Sequence, residues 1–194
     1  DWSSDVCSSD LVKAQIEDVD YQAPRGLEKG LFLELAGGAW IQKQHNLIMT
    51  GPTGVGKTYL ACALAQKACR DGFRCLYSHF PDMVRDMAIS KAEGELHAFI
   101  RRLGHRDLLI IDDWLRDPVS AEQARILLDL IDERFRTKSI LLATQTPVAD
   151  WHGRFQDPTT ADAVLDRIVH DSHRIDLTGD SMRKRTSKLT KRAG

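Results

Sequence analysis

Along this chain, short runs of consecutive apolar residues alternate with longer stretches whose apolar positions recur every three or four residues. Asn46-Leu47-Ile48-Met49-Thr50 is the first such run and reads as a buried strand. Leu60, Ala61, Leu64, Ala65 and Ala68 then repeat at helical spacing, with Gln66, Lys67 and Arg70 off that face, until Asp71-Gly72 stops the helix. A second strand is predicted over 73–77, and helices over 82–90 and 95–103, parted near Gly94. Leu108-Leu109-Ile110-Ile111 is a continuous apolar run followed at once by two acids. A long amphipathic helix comes next, with Ala124, Leu127, Leu128, Ile131 and Phe135 on its inward side. Residues 139–143 read as another buried strand, 161–169 as a helix and 174–177 as a last short strand. Strands alternating with helices predict an α/β fold, a parallel sheet covered by helices on both faces.

With 194 residues, 42 % of them hydrophobic, the chain can bury one good core, so a single domain is expected. There is no internal repeat. The net charge of −1 carries no global signal for nucleic acid, yet charge is unevenly spread. Residues 181–194 hold Arg183, Lys184, Arg185, Lys188, Lys191 and Arg192 and no acid. This basic C-terminal tail either touches a phosphate backbone or is an ordinary solvated terminus. Arg101, Arg102, His105 and Arg106 form a second cluster that either contacts a phosphate backbone or, the reading favoured, is a solvated helix face. No apolar run is long enough to span a membrane and none resembles a signal peptide. Cys62, Cys69 and Cys75 read as reduced thiols of a cytoplasmic protein. His170 and His173 have a spacing seen in metal sites, but no Cys or second His pair accompanies them. Residues 1–11 look like one frame of a common short-read sequencing adapter, so the folded domain is expected over 12–180.

The chemistry begins directly after the first strand. Gly51-Pro52-Thr53-Gly54-Val55-Gly56-Lys57-Thr58 fits the phosphate-binding loop G-x-x-x-x-G-K-[ST] at every fixed position. Glycines let successive backbone N–H groups turn inward around a phosphate without Cβ clashes. Lys57 brings a mobile positive charge to the β- and γ-phosphates, and the Thr58 hydroxyl can ligate Mg²⁺. The helix that follows points its positive end at the same phosphates. Strand, loop and helix occur in the order the motif requires.

In parallel sheets ligands bind beyond the carboxyl ends of the strands. Asp112 and Asp113 stand there after the 108–111 strand, as a Walker B segment. Asp112 is expected to hold Mg²⁺ and Asp113 to polarise the attacking water, with a shorter side chain than the Glu of many related sites. Gln145 ends the next strand and can orient water or touch the γ-phosphate; the alternative is a polar residue closing a strand. Arg167 is the best candidate for an arginine finger supplied to a neighbouring subunit. The plain alternative for it is a surface salt bridge to Asp166 or Asp171.

From about Ile16 to Lys184 the chain resembles the IstB family of insertion-sequence ATPases, related to DnaC-type helicase loaders within the AAA+ class. The resemblance rests on the phosphate-binding loop, on Leu108-Leu109-Ile110-Ile111-Asp112-Asp113-Trp114, and above all on the C-terminal third. That third runs through Thr144-Gln145-Thr146-Pro147-Val148-Ala149-Asp150-Trp151-His152, then Leu165-Asp166-Arg167-Ile168-Val169-His170, then Arg174-Ile175-Asp176-Leu177-Thr178-Gly179-Asp180-Ser181-Met182-Arg183-Lys184. The resemblance implies a P-loop NTPase of AAA+ type, a three-layer α/β/α fold around a mostly parallel sheet. It implies a homo-oligomeric ATPase that assembles on double-stranded DNA and works with the transposase of the same insertion sequence, using ATP and Mg²⁺. Carried onto this sequence, it makes residues 51–58 Walker A, Asp112 and Asp113 Walker B, Gln145 the first sensor and Arg167 the arginine finger. It places a second sensing arginine at Arg183 and brings Tyr21 near the adenine.

Two departures stand out. The family's additional N-terminal segment, used for assembly and partner contacts, is not seen here. After Trp114, a glycine-containing link is replaced by Leu115-Arg116-Asp117-Pro118-Val119. A helicase loader is the nearest alternative reading. A P-loop kinase of a small metabolite is a third, but it needs an acceptor pocket and a basic lid.

Overall fold

The computed structural model describes residues 14–182. Its centre is a five-stranded sheet in the order β2-β3-β4-β1-β5, every pairing parallel. The strands are β1 (Asn46–Thr50), β2 (Cys75–His79), β3 (Leu108–Asp112), β4 (Ser139–Thr144) and β5 (Ser172–Asp176). Side chains alternate between the two faces, and both faces are covered, which is why β1, β3 and β4 read as uninterrupted apolar runs. On one face Leu47, Met49, Leu108, Ile110 and Leu141 join a core with α1 (Lys29–Ala36), α2 (Ala39–Gln42) and α3 (Lys57–Arg70). On the other, Ile48, Leu109, Ile111, Ile140 and Leu142 pack under α4 (Phe80–Ala92), α5 (Leu96–Gly104), α6 (Ala121–Arg134) and α7 (Pro158–Val169). The α/β expectation holds, as a three-layer arrangement.

Helix starts explain most boundary differences from the sequence reading. Pro81 and Pro158 sit in the first turns of α4 and α7, where a missing N–H costs nothing. Both helices therefore begin earlier than their apolar periodicity indicates, and Asp157 caps the second through the Thr159 N–H. At α6, Ser120 and Gln123 cap each other reciprocally. The apolar face foreseen for α3 is buried in full, and Cys62 and Ala63 are buried as well. Their extra cover comes from Val19, Phe32 and Trp40 of the segment before β1.

Burial pushes the Cys62 thiol up to about 12, fitting a small core residue. Cys69 is disulfide-bonded, so the expectation of reduced thiols throughout fails at that position. His170 pairs with Asp166, while His173 meets His45 at 3.2 Å, so the two histidines do not converge. No helix among the described residues is long and apolar enough to cross a membrane. Arg183 and the other charged residues of the basic tail lie outside the described residues.

Candidate nucleotide site

The loop between β1 and α3 stands at the carboxyl edge of the sheet, in left-handed backbone at its glycines: φ is +150° at Gly51, +84° at Gly54 and +102° at Gly56. A Cβ on Gly51 would lie 2.7 Å from the Leu177 carbonyl, and one on Gly56 would lie 2.7 Å from Arg25 Nη1. One on Gly54 would overlap Ser181. The glycines thus serve twice, shaping the loop and admitting neighbours that press on its outer side. Three backbone bonds fasten those neighbours: Leu177 N to Thr50 O at 2.8 Å, Thr178 N to Arg25 O at 2.9 Å and Met182 N to Gly54 O at 2.8 Å.

Lys57 is 7 % exposed. Its ammonium donates to the carbonyls of Gly51 at 2.7 Å and Pro52 at 2.9 Å, and burial holds it below the ordinary lysine range. Thr58 Oγ1 donates to Asp112 Oδ2 at 2.7 Å, bringing the two proposed metal ligands together. Tyr77 donates to the same oxygen at 2.9 Å, and the Asp113 N–H donates to Asp112 Oδ1 at 3.0 Å. Burial, then the neighbouring Asp112 charge, drives the Tyr77 hydroxyl well above the ordinary phenol range; it is a fixed donor.

Asp113 sits beside Asp112 at φ +55°. His79 Nε2 lies 3.2 Å from Asp113 Oδ2, and its Nδ1 lies 3.0 Å from Asp82. Register accounts for these meetings, because His79 is opposite Asp112 and Thr50 is opposite Thr144. The second pairing brings Gln145 to the loop, where its Oε1 accepts from Thr53 Oγ1 at 2.6 Å. In the link after Trp114, Leu115 itself adopts φ +51° with its side chain fully buried. That conformation costs about 1–2 kcal/mol in a non-glycine residue, which burying a leucine, at about 1.5–3 kcal/mol, offsets.

A cavity of about 840 Å³ joins these groups, a size that suits a nucleotide. Lys57, Thr58, Asp112, Asp113 and Gln145 all line it, together with Thr53, Gly54 and Gly56. Pro52 contributes a carbonyl to Lys57, and Val55 is buried beneath the loop. Tyr21 is not in the lining; its ring meets Phe32 edge-on at 6.1 Å, and Lys29 lies over it. Asp18, Asp20 and Arg25 from the same segment do line the cavity. Arg25 is 3 % exposed, donates to Asp20 O at 2.9 Å, and is held below the ordinary guanidinium range by burial. Tyr59, Tyr77, His79 and Met182 also line it and escaped sequence reasoning. Tyr77 and His79 were reachable, since they end a strand at the edge where ligands bind; Arg25 left no local signal.

Arg167 stands elsewhere. It shares a cleft with Asn46 and Lys138 at the amino edge of the sheet, and Asn46 Nδ2 donates to the adjoining Ile168 carbonyl. One strand length, roughly 13 Å for four steps, separates that edge from the loop. Its ion-pair partner is Asp132, not Asp166 or Asp171.

The C-terminal signature residues build the frame behind Gln145. Thr144 Oγ1 donates to the Trp114 carbonyl at 2.6 Å and accepts from the Thr146 N–H at 3.0 Å. Trp151 Nε1 donates to Thr146 O at 2.9 Å, and its ring meets Trp114 edge-on.

The family model described as IstB-like ATP binding protein matches residues 7–190. The chain belongs to that family. It is 45 % identical over 168 residues to the insertion sequence ATP-binding protein y4pL of Sinorhizobium fredii, covering 87 % of this chain and 69 % of the relative. With the insertion sequence IS21 ATP-binding protein of Pseudomonas aeruginosa it shares 33 % identity, covering 87 % and 63 %. Among solved structures, DnaI matches with a TM-score of 0.73 at 18 % identity, covering 86 % of this chain and 92 % of that one. The DnaC helicase loader matches at 0.65 and 18 %, covering 84 % and 96 %. AMPPCP-bound DnaA from Aquifex aeolicus matches at 0.68 and 20 %, covering 88 % and 52 %. These likenesses establish the AAA+ P-loop fold for this IstB-like chain.

Proposed function

We propose that this chain binds and hydrolyses ATP with Mg²⁺ as the nucleotide-driven helper of an insertion sequence, acting as a homo-oligomer on double-stranded DNA with the transposase of the same element. The observation that carries the nucleotide chemistry is the meeting of Thr58 and Asp112 at 2.7 Å beside a buried Lys57. The residues fit the cofactor: a hydroxyl and a carboxylate converge as hard oxygen ligands for Mg²⁺, and the glycine loop leaves its N–H groups for phosphate. The metal, when bound, neutralises charge on the β- and γ-phosphates. Lys57 leaves the Gly51 and Pro52 carbonyls for the phosphates, Asp113 takes the proton side of the attacking water, and Gln145 orients that water from the strand alongside. Arg167 lies too far from its own cavity to serve there and is supplied to a neighbouring chain. The insertion-sequence names of the relatives support the transposition role. A loader role has only the shared fold behind it.

Two variants test the site. Lys57→Ala is expected to abolish ATP binding by calorimetry, whereas Arg167→Ala keeps binding and loses hydrolysis. Unchanged turnover in Arg167→Ala counts against the finger. A salt-dependent DNA titration with and without residues 181–194 tests the DNA role, with binding expected to weaken on truncation and with added salt. A phosphorylated small-molecule acceptor would instead make this a kinase.

A further inference from the structure

Arg167 is not held open towards a partner. Its Nε is ion-paired with Asp132 of α6, its Nη1 donates to the Ala163 carbonyl one turn back at 2.8 Å, and its guanidinium lies 5.9 Å from the Phe135 ring centroid. A guanidinium that stabilises a transferring phosphoryl group presents paired N–H donors to it. The contacts made here engage two of the three nitrogens of that fork, so presenting the whole fork to a triphosphate means giving them up. The choice of partner is informative. Asp166 is the chain neighbour and pairs with His170, and Asp171 lines the same cleft, yet the ion pair crosses to another helix.

Taking the reading of Arg167 as the finger as its premise, we propose that Asp132 is a positioning residue that holds the finger retracted against its own α6–α7 face until a neighbouring chain's triphosphate draws it out. The two side chains are 46 % and 29 % exposed, so water screens the pair and keeps it weak. A weak tether suits this purpose. It withholds the finger from unassembled chains, and a multiply charged triphosphate outcompetes it.

The test measures ATP turnover of the full chain, below the concentration at which turnover saturates, for the wild type, Asp132→Asn, Asp132→Glu, Arg167→Ala and the Asp132→Asn/Arg167→Ala pair. Thermal melts check that each variant folds. Asp132→Asn is expected to raise turnover about fivefold, the factor that a weak exposed ion pair corresponds to, with ATP affinity unchanged. Asp132→Glu, which can still pair, stays near wild type. In the Arg167→Ala background Asp132→Asn changes nothing. A mixing assay separates tethering from a merely structural role: Lys57→Ala chains can donate fingers without turning over ATP. Those also carrying Asp132→Asn are expected to stimulate wild-type chains more strongly than those without it. Turnover of Asp132→Asn at or below wild type, with Arg167→Ala impaired, overturns the tether and leaves the finger standing. Unimpaired Arg167→Ala removes the finger, and the tether with it.

Discussion

Replacing Thr144 by Val tests how the site is held rather than what it touches. Thr144 is fully buried at the end of β4, one residue before Gln145. Its hydroxyl donates to the Trp114 carbonyl and accepts from the Thr146 N–H, joining the turn after Asp113 to the loop after Gln145. Valine has nearly the same shape, so packing is preserved and the loss is the hydroxyl alone. Losing the hydroxyl strands two buried backbone groups, the Trp114 carbonyl and the Thr146 N–H, at about 1–3 kcal/mol each. The new methyl recovers a little under 1 kcal/mol of apolar burial. The net expectation is a loss of about 1–5 kcal/mol, and a mid-range loss of about 3 kcal/mol lowers the melting temperature by roughly 6–12 °C in a domain this size. Urea titration measures it as a lower midpoint at unchanged slope. Because Gln145 loses its anchor, hydrolysis falls while ATP affinity stays within about threefold, a loss of under 1 kcal/mol. Thr144→Ser keeps the hydroxyl and is expected to retain hydrolysis. A Thr144→Val protein within about 0.5 kcal/mol of wild type refutes the bridge.

Gly54→Ala places a methyl against Ser181 at a backbone φ of +84°, so ATP affinity is expected to fall at least tenfold, about 1.4 kcal/mol. Adding Ser181→Gly should recover part of it, and no recovery means that backbone strain alone sets the loss. His173 is held below its ordinary value by burial and by the neighbouring His45, with Glu34 opposing and Lys43 reinforcing the shift. Above the unfolded value of 6.5 both states are neutral. As pH falls through that value the unfolded chain takes up the proton first, and stability drops until the folded ring protonates in turn. Melting temperature is therefore expected to fall from pH 7 towards pH 5, less steeply in His173→Gln; identical slopes reject the contribution. If Arg167 acts between chains, turnover per chain rises with protein concentration, and a flat dependence over three decades argues for a self-sufficient site.

The sheet was legible because burial on both faces leaves little choice of residue. Runs such as 108–111 can be nothing polar when Leu108 and Ile110 face one core and Leu109 and Ile111 the other. The phosphate-binding loop and the acids after β3 were legible because their chemistry is local in sequence. Contacts made by folding were not. Arg134 is the plainest case: on the chain it reads as a polar helix residue, yet it is fully buried. Its guanidinium caps the carbonyls of Leu103, Gly104 and Ser139, and burial pulls it down to about 9. Arg25 escaped for the same reason, since only the fold presses it on Gly56. Short α1 and α2 went unread because eight and four residues give too little periodicity.

The position of Arg167 follows from topology more than from its own side chain. In a parallel sheet each strand ends at the carboxyl edge, and the connecting helix must carry the chain back to the amino edge before the next strand begins. α7 does this between β4 and β5. Pro158 therefore starts near the edge where Gln145 and the loop stand, and the last turn, with Arg167, reaches the opposite edge beside Asn46. No rotamer of an arginine spans a whole strand length back along its own helix to the loop. A basic residue late in such a helix is either a local staple or a group offered outward. Asp132 makes the staple visible, and its solvent exposure makes that staple easy to release.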